Sequence, residues 1–239
     1  MTPTLRFVDL ADAAPDEAVV VVDVLRAFTV VPWLFHRGAA RVLAVDTAER
    51  AEALRDGPVT GALLAGESGG VPIEGFDLGN SPVEVAALPD DRLAGRTVVH
   101  RTSAGTQGLV RTAGSGASFA ASFVTARATA TALLALAPTR VTFVITGASL
   151  GRDGDEDLAA AELIGAHLLG HDPDPDPFLA RVPRSDAGRC FASDGPDWAH
   201  PDDLVAACEV DRFDVALHVS VAHDLSANGA TPVLAVGPA

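Results

Sequence analysis

Ala18-Val19-Val20-Val21-Val22-Asp23-Val24 is a nearly unbroken β-branched run that ends on a carboxylate, and its reading decides the fold. A run with apolar residues at both odd and even positions suits a strand covered on both faces, the habit of parallel sheets flanked by helices. Working outward, the spacing predicts a helix from about Ala27 to Arg37, a strand over Arg41–Val45 and a helix over Thr47–Arg55. A short strand is expected at Ala62–Ala65, followed by a Gly-rich loop, Gly66–Gly79. Ser81, Pro82 and Glu84 then carry the cap, first-turn proline and capping-box acid of another helix. Further strands are predicted at Arg96–Val99, Val141–Ile145, Val215–Val221 and Pro232–Val236. Helices are predicted at Ala104–Arg111, Thr125–Ala137, Asp155–Leu169 and Pro201–Cys208. Strands alternating with helices in this way define an α/β chain, a three-layer α/β/α arrangement on a largely parallel or mixed sheet.

Residues 1–239 are read as a single domain. The alternating prolines of His171–Pro177 (HDPDPDP) rule out a helix there and make it a surface excursion or a hinge between two subdomains.

Composition narrows the chemistry. Hydrophobic residues make up 48% of the chain, enough for a large core, yet there is no Tyr and only two Trp, so that core rests on Ala, Val and Leu. Every basic residue is Arg; without Lys, Schiff-base chemistry and a P-loop lysine are excluded. The net charge of −15 argues against nucleic acid and anionic membrane as partners. A small anionic ligand would need local positive charge from a metal ion, a few Arg or helix N-termini. Cys190 and Cys208 form no CxxC pair and read as reduced thiols. With neither a signal peptide nor a long apolar window in view, a cytoplasmic location is expected, and a homodimer is compatible with the sequence.

Ligands of open α/β sheets bind beyond the carboxyl ends of strands, so the residues directly after each predicted strand matter most. Asp23 and Arg26 follow the first run; Asp23 is a helix cap or a ligand. Gly66-Glu67-Ser68 follows the short strand and is a turn or an acidic site. The loop Ile73 to Pro82 sets Glu74 and Asp77 on either side of Gly-Phe before Asn80 and Ser81. Arg101-Thr102-Ser103-Ala104-Gly105-Thr106 leads into a helix and suits either plain capping or an anion nest of amides and hydroxyls. Arg152 and the acids Asp153, Asp155, Glu156 and Asp157 follow the Val141 strand, where acids suit the macrodipole and are also the hard oxygen ligands of Mg²⁺.

These motifs, DVLRA at Asp23–Ala27, GES at Gly66–Ser68, EGFDLGNSP at Glu74–Pro82, TSAGT at Thr102–Thr106 and GRDGDEDLAAAE at Gly151–Glu162, resemble the 2-phosphosulfolactate phosphatase family, in matching order from Val19 to Leu169. EGFDLGNSP is the most specific of them. The resemblance implies a layered α/β fold and Mg²⁺-dependent hydrolysis of a phosphate ester next to a carboxylate. Its type reaction releases 3-sulfolactate and phosphate in coenzyme M biosynthesis. Carried onto this chain, it implies catalytic roles for Asp23, Glu67, Asp77, Thr102 and Ser103. Substrate binding would fall to Arg26, Asn80, Ser81, Gly105 and Thr106, and metal binding to Asp23, Glu67, Glu156 and Asp157. Arg101 and Arg152, from their places after the strands, are further candidates to bind the substrate carboxylate or sulfonate. Ala104 and Gln107 depart from the family pattern, replacing an amide donor by a methyl and an Arg by a neutral residue. They motivate an alternative reading, a non-catalytic anion-binding relative.

Overall fold

The chain is described by a computed structural model covering residues 2–149, 151–192, 194–226 and 231–239. Its strands are β1 (Thr4–Asp9), β2 (Ala18–Val22), β3 (Arg41–Ala44), β4 (Leu63–Ser68), β5 (Val71–Pro72), β6 (Thr97–Arg101), β7 (Ala117–Ala121), β8 (Arg140–Ile145), β9 (Leu217–Val221) and β10 (Leu234–Pro238). The helices are α1 (Ala27–His36), α2 (Ala48–Asp56), α3 (Pro82–Ala86), α4 (Gly105–Arg111), α5 (Ala126–Leu136), α6 (Asp155–Leu168), α7 (Asp176–Leu179) and α8 (Pro201–Ala207). All ten strands join one mixed sheet in the order β1-β8-β2-β7-β9-β10-β3-β6-β4-β5.

The β2 run is buried along its whole length, and its valines alternate between the two faces. Val19 and Val21 pack with Phe28, Val30, Val31 and Leu34 of α1 and Leu109 of α4. Val20 and Val22 pack on the other side with Ala130 and Leu133 of α5 and Leu163 and Ile164 of α6. A third cluster puts Ala51 and Leu54 of α2 against Leu43, Leu64 and Val99. Helices thus cover both faces, giving the three-layer arrangement.

Two parallel blocks make up most of the sheet. In one, β1, β8, β2 and β7 run together; in the other, β3, β6 and β4 do. Three successive antiparallel pairings, β7–β9, β9–β10 and β10–β3, set the second block opposite in sense to the first. Five inter-strand steps separate β2 from β6. At roughly 20–25° of twist per step, the accumulated rotation exceeds 90°. That rotation turns the carboxyl ends of the opposed blocks toward each other, so residues after β2, β4, β6 and β8 can share one pocket.

Three strands were not predicted, β1, β7 and the two-residue β5, which falls inside the Gly-rich loop. The Pro/Asp segment also differs from expectation: α7 begins at Asp176, with Pro177 in its first turn. A first-turn proline costs no hydrogen bond because its N–H would have no intrahelical partner. Only the part before it lacks regular structure.

Candidate active site

A cavity of about 200 Å³ opens where the two blocks converge. One wall is polar, made by Asp23, Glu67, Asn80 and Ser103, with Arg152 at the rim; the other is apolar, made by Leu25, Ala187, Cys190, Phe191 and Trp198.

Asp23 follows β2 directly. Its Oδ1 accepts the Ala27 amide at 2.9 Å, so it does cap the turn into α1. Its Oδ2 lies against Gly105, where a Cβ would come within 2.7 Å. Gly105 is therefore a clearance residue, required small by Asp23, Ala27 and Phe28. Burial pushes the Asp23 carboxyl up to about 6, and repulsion from Glu67 and Glu156 adds to it.

Glu67 ends β4 and is held by two short amide bonds. Ser103 N–H donates to Oε1 at 2.6 Å and Gly70 N–H to Oε2 at 2.6 Å, with the Ser103 hydroxyl 3.2 Å from Oε2. The loop after β6 was expected to hold a phosphate in an anion nest; the anion its Ser103 amide holds is the Glu67 carboxylate. Thr102 and Thr106 turn inward and close the loop on each other. Thr106 Oγ1 accepts the Thr102 amide at 2.9 Å, and Thr102 Oγ1 accepts the Thr106 amide at 3.0 Å. Both are buried and outside the cavity wall.

Glu156 and Asp157 sit in the first turn of α6, behind the cavity wall. Asp157 is spent on structure: Oδ1 accepts the Val24 amide at 2.7 Å, and Oδ2 accepts the Gly147 amide at 2.7 Å and the Thr146 hydroxyl at 3.2 Å. It ties the turn after β2 to the turn after β8. Burial raises its pKa well above the ordinary carboxylate value, with Glu156 and Asp23 adding repulsion. Burial also raises Glu156, whose Oε2 is enclosed with no hydrogen-bond partner.

Arg26 reaches the cavity, but its charge is taken. Nη1 donates to Asp203 Oδ2 at 2.7 Å and to the Trp198 carbonyl at 3.0 Å, and Nη2 to the Gly70 carbonyl at 3.3 Å. Its guanidinium lies over the Phe191 and Trp198 rings, 5.2 and 5.5 Å from their centroids. Asp203, fully buried in α8, also accepts the Ser81 hydroxyl at 2.6 Å. Ser81 caps α3, accepting the Glu84 amide at 3.2 Å, and does not line the cavity. Asn80 does line it. Its Oδ1 is 3.0 Å from His100 Nε2, and burial holds that imidazole down to about 4. A neutral His100 donating through Nε2 orients the amide so that Asn80 Nδ2 is free to donate elsewhere.

Two further expected residues lie away from the cavity wall. Asp77 accepts the Leu64 amide at 3.0 Å and pairs with Arg92 at 3.2 Å, bracing its own loop. Arg101 donates from Nη1 to the Glu67 carbonyl at 2.7 Å, behind the wall. Gln107 donates to the Asp46 and Thr102 carbonyls, so the missing Arg leaves the cavity wall unaltered. Residues that sequence reasoning passed over are Asp203, His100 and the apolar wall. The only available signal was Trp198, one of two tryptophans and placed in a loop.

Fold and site together define an α/β protein with an acidic small-molecule pocket, assembled where two opposed parallel blocks of one sheet converge. The chain belongs to the 2-phosphosulfolactate phosphatase family, whose family model matches residues 6–187. That family is named for a phosphoric monoester hydrolase. A Deinococcus radiodurans protein named "Probable 2-phosphosulfolactate phosphatase" is 42% identical over 166 residues, 69% of this chain and 67% of that one. Proteins of the same name from Synechococcus sp. (strain RCC307) and Bacillus subtilis are 37% and 34% identical. Those matches take in 64% and 66% of this chain and 62% and 66% of theirs. The similarity thus spans about two thirds of these relatives' lengths.

Proposed function

We propose that this chain is a Mg²⁺-dependent phosphatase that hydrolyses the phosphate ester of a small 2-phospho organic acid. 2-Phosphosulfolactate, the substrate in the relatives' names, is the first compound to assay. The observation that carries the reading is the set of buried carboxylates around the cavity head, with Asp23 raised to about 6 and Glu156 holding an unpartnered oxygen. Left alone, such a cluster is repulsive and costly; beside a divalent cation it becomes favourable.

Among the described residues no three His, Cys, Asp or Glu groups form a metal-ligating cluster. Mg²⁺ does not need one, because it binds through one or two carboxylates, retained waters and substrate oxygens. Asp23 and Glu67, both on the cavity wall, would hold the ion, with Glu156 adding negative charge from behind. When bound, the ion supplies the positive charge that a phosphoryl group requires in so acidic a setting.

The remaining roles belong to the chain. Asp23, through the oxygen that does not cap the Ala27 amide, orients the attacking water beside the ion. Asn80 Nδ2 donates to a phosphoryl oxygen, and Arg152 at the rim meets the substrate carboxylate. The departures at Ala104 and Gln107 leave these groups in place, which favours turnover over mere anion binding. Among the described residues no helix is long and apolar enough to cross a membrane.

Phosphate release from 2-phosphosulfolactate and p-nitrophenyl phosphate tests the reading. EDTA should abolish release and added Mg²⁺ restore it. Release indifferent to EDTA would overturn the metal role, and no release from any phospho-acid would overturn the phosphatase.

A further inference from the structure

The apolar half of the cavity is built largely by chain beyond residue 187, where the family match ends. Cys190 and Phe191 come from a 3-10 turn, and Trp198 precedes α8. Trp198 is pressed so closely on Gly70 that a Cβ there would meet its ring at 2.5 Å. The same segment delivers Asp203, which neutralises Arg26 from within the core.

Charge in the cavity follows from that pairing. Among the described lining residues the cations are Arg26 and Arg152, and the carboxylates are Asp23 and Glu67. Arg26 is spent on Asp203, while Arg152 is exposed and, among the described residues, its side chain bonds Ser149 and no carboxylate. A phosphate and one carboxylate can be met by a metal ion and Arg152. A third anionic group, such as a sulfonate, placed against the apolar wall would meet no further free cation among the described lining residues, which is unfavourable. The surface left for the third substituent is Leu25, Ala187, Cys190, Phe191 and Trp198.

We infer that this chain prefers 2-phospho monocarboxylic acids whose remaining substituent is apolar and ring-sized, with Cys190, Phe191 and Trp198 as the specificity-determining wall. The phosphate ester of 3-phenyllactate represents the class. This inference rests on the phosphatase reading and departs from the sulfonated substrate in the relatives' names.

The test is calorimetric titration, in Mg²⁺, with non-hydrolysable phosphonate analogues of three esters: 2-phospho-3-phenyllactate, 2-phosphosulfolactate and 2-phospholactate. The phenyl analogue should bind about tenfold or more tightly than the sulfonated one. Cys190→Phe, which fills the apolar half, should weaken the phenyl analogue by about tenfold and leave the lactate analogue within about threefold. If that variant melts without cooperativity, Cys190→Leu takes its place with a smaller loss in the same direction. Equal or tighter binding of the sulfonated analogue, equal weakening of all three, or no binding of the phenyl analogue would overturn the proposal. Binding is read without turnover, so these failures are distinct from absence of phosphate release from every ester, which would overturn the phosphatase reading itself.

Discussion

Replacing Asp23 by Asn in metal-free protein should stabilise the fold at neutral pH. The Asp23 carboxyl is raised from 3.8 to about 6, chiefly by burial and then by Glu67 and Glu156. Between those values the native state holds a proton that the unfolded chain has released, so native stability falls as pH rises through the window. At about 1.4 kcal/mol per unit, the shift amounts to roughly 3 kcal/mol of strain carried above pH 6. Asn keeps the Oδ1 acceptor that caps the Ala27 amide and removes only the charge. In a chain of 239 residues, roughly 3 kcal/mol corresponds to about 6–12 °C in melting temperature. Scanning calorimetry in EDTA on both proteins from about pH 4 to 7.5 should show nearly equal values at the acid end and a gap that widens upward. Groups common to both, such as Asp16, whose carboxyl Arg140 holds far below its ordinary value, cancel in the difference. Mg²⁺ at neutral pH should close the gap by stabilising the wild type preferentially. A constant difference across the pH range, or a variant less stable at neutral pH, would refute the reasoning.

His100 should give the opposite slope. Burial holds its imidazole down to about 4, so between 6.5 and 4 the unfolded chain takes up a proton that the native state refuses, and stability is lost as pH falls. His100→Gln should remove about 3 kcal/mol of that acid sensitivity, read as a flatter melting curve against pH; an unchanged slope would assign the effect elsewhere. Thr106→Ala strips the Thr102 amide of its buried acceptor and should cost about 1–3 kcal/mol in urea unfolding, with turnover retained. A hundredfold loss of turnover in a fully stable Thr106→Ala protein would return the hydroxyl to the substrate.

Much of this fold could be read from local pattern, and the failures have physical causes. The β2 valines announced a doubly covered strand because both of their faces are indeed packed. By contrast, β7 reads Ala-Ser-Phe-Ala-Ala, in which only Phe119 favours a strand, and it is extended because β2 and β9 pair with it on either side. The exposed edge strand β1 has little apolar alternation to show. At the site, looking just past each strand found Asp23, Glu67, Asn80, Ser103 and Arg152. It could not tell Ser103 from its neighbour Thr102, because which of two adjacent hydroxyls faces the cavity is settled by the Glu67 carboxylate waiting there. Nor could it find Asp203, which meets Arg26 across 177 positions of sequence.

The four carboxylates divide by how their oxygens are used. Glu67 and Asp157 each accept two backbone amides, one per oxygen, and so are fixed by the chain at both ends. Asp157 joins the turns after β2 and β8, which are parts of one block. Glu67 joins the turns after β4 and β6, which are parts of the other. Between these two ties lie Asp23, with one oxygen capped, and Glu156, with one oxygen unpartnered. The chain crowds Gly147 against Glu156 Oε1, where any larger residue would collide. Backbone amides oppose the cost of charging Asp157 at both oxygens; Glu156 is relieved by its own amide, the Ser185 hydroxyl and Arg152, yet burial still raises it and leaves Oε2 unpartnered. A fold selected only for stability would discard a buried charge of that kind, since an apolar residue there is often better tolerated. Its presence beside Asp23, between two immobilised carboxylates, supports the divalent-cation role proposed above.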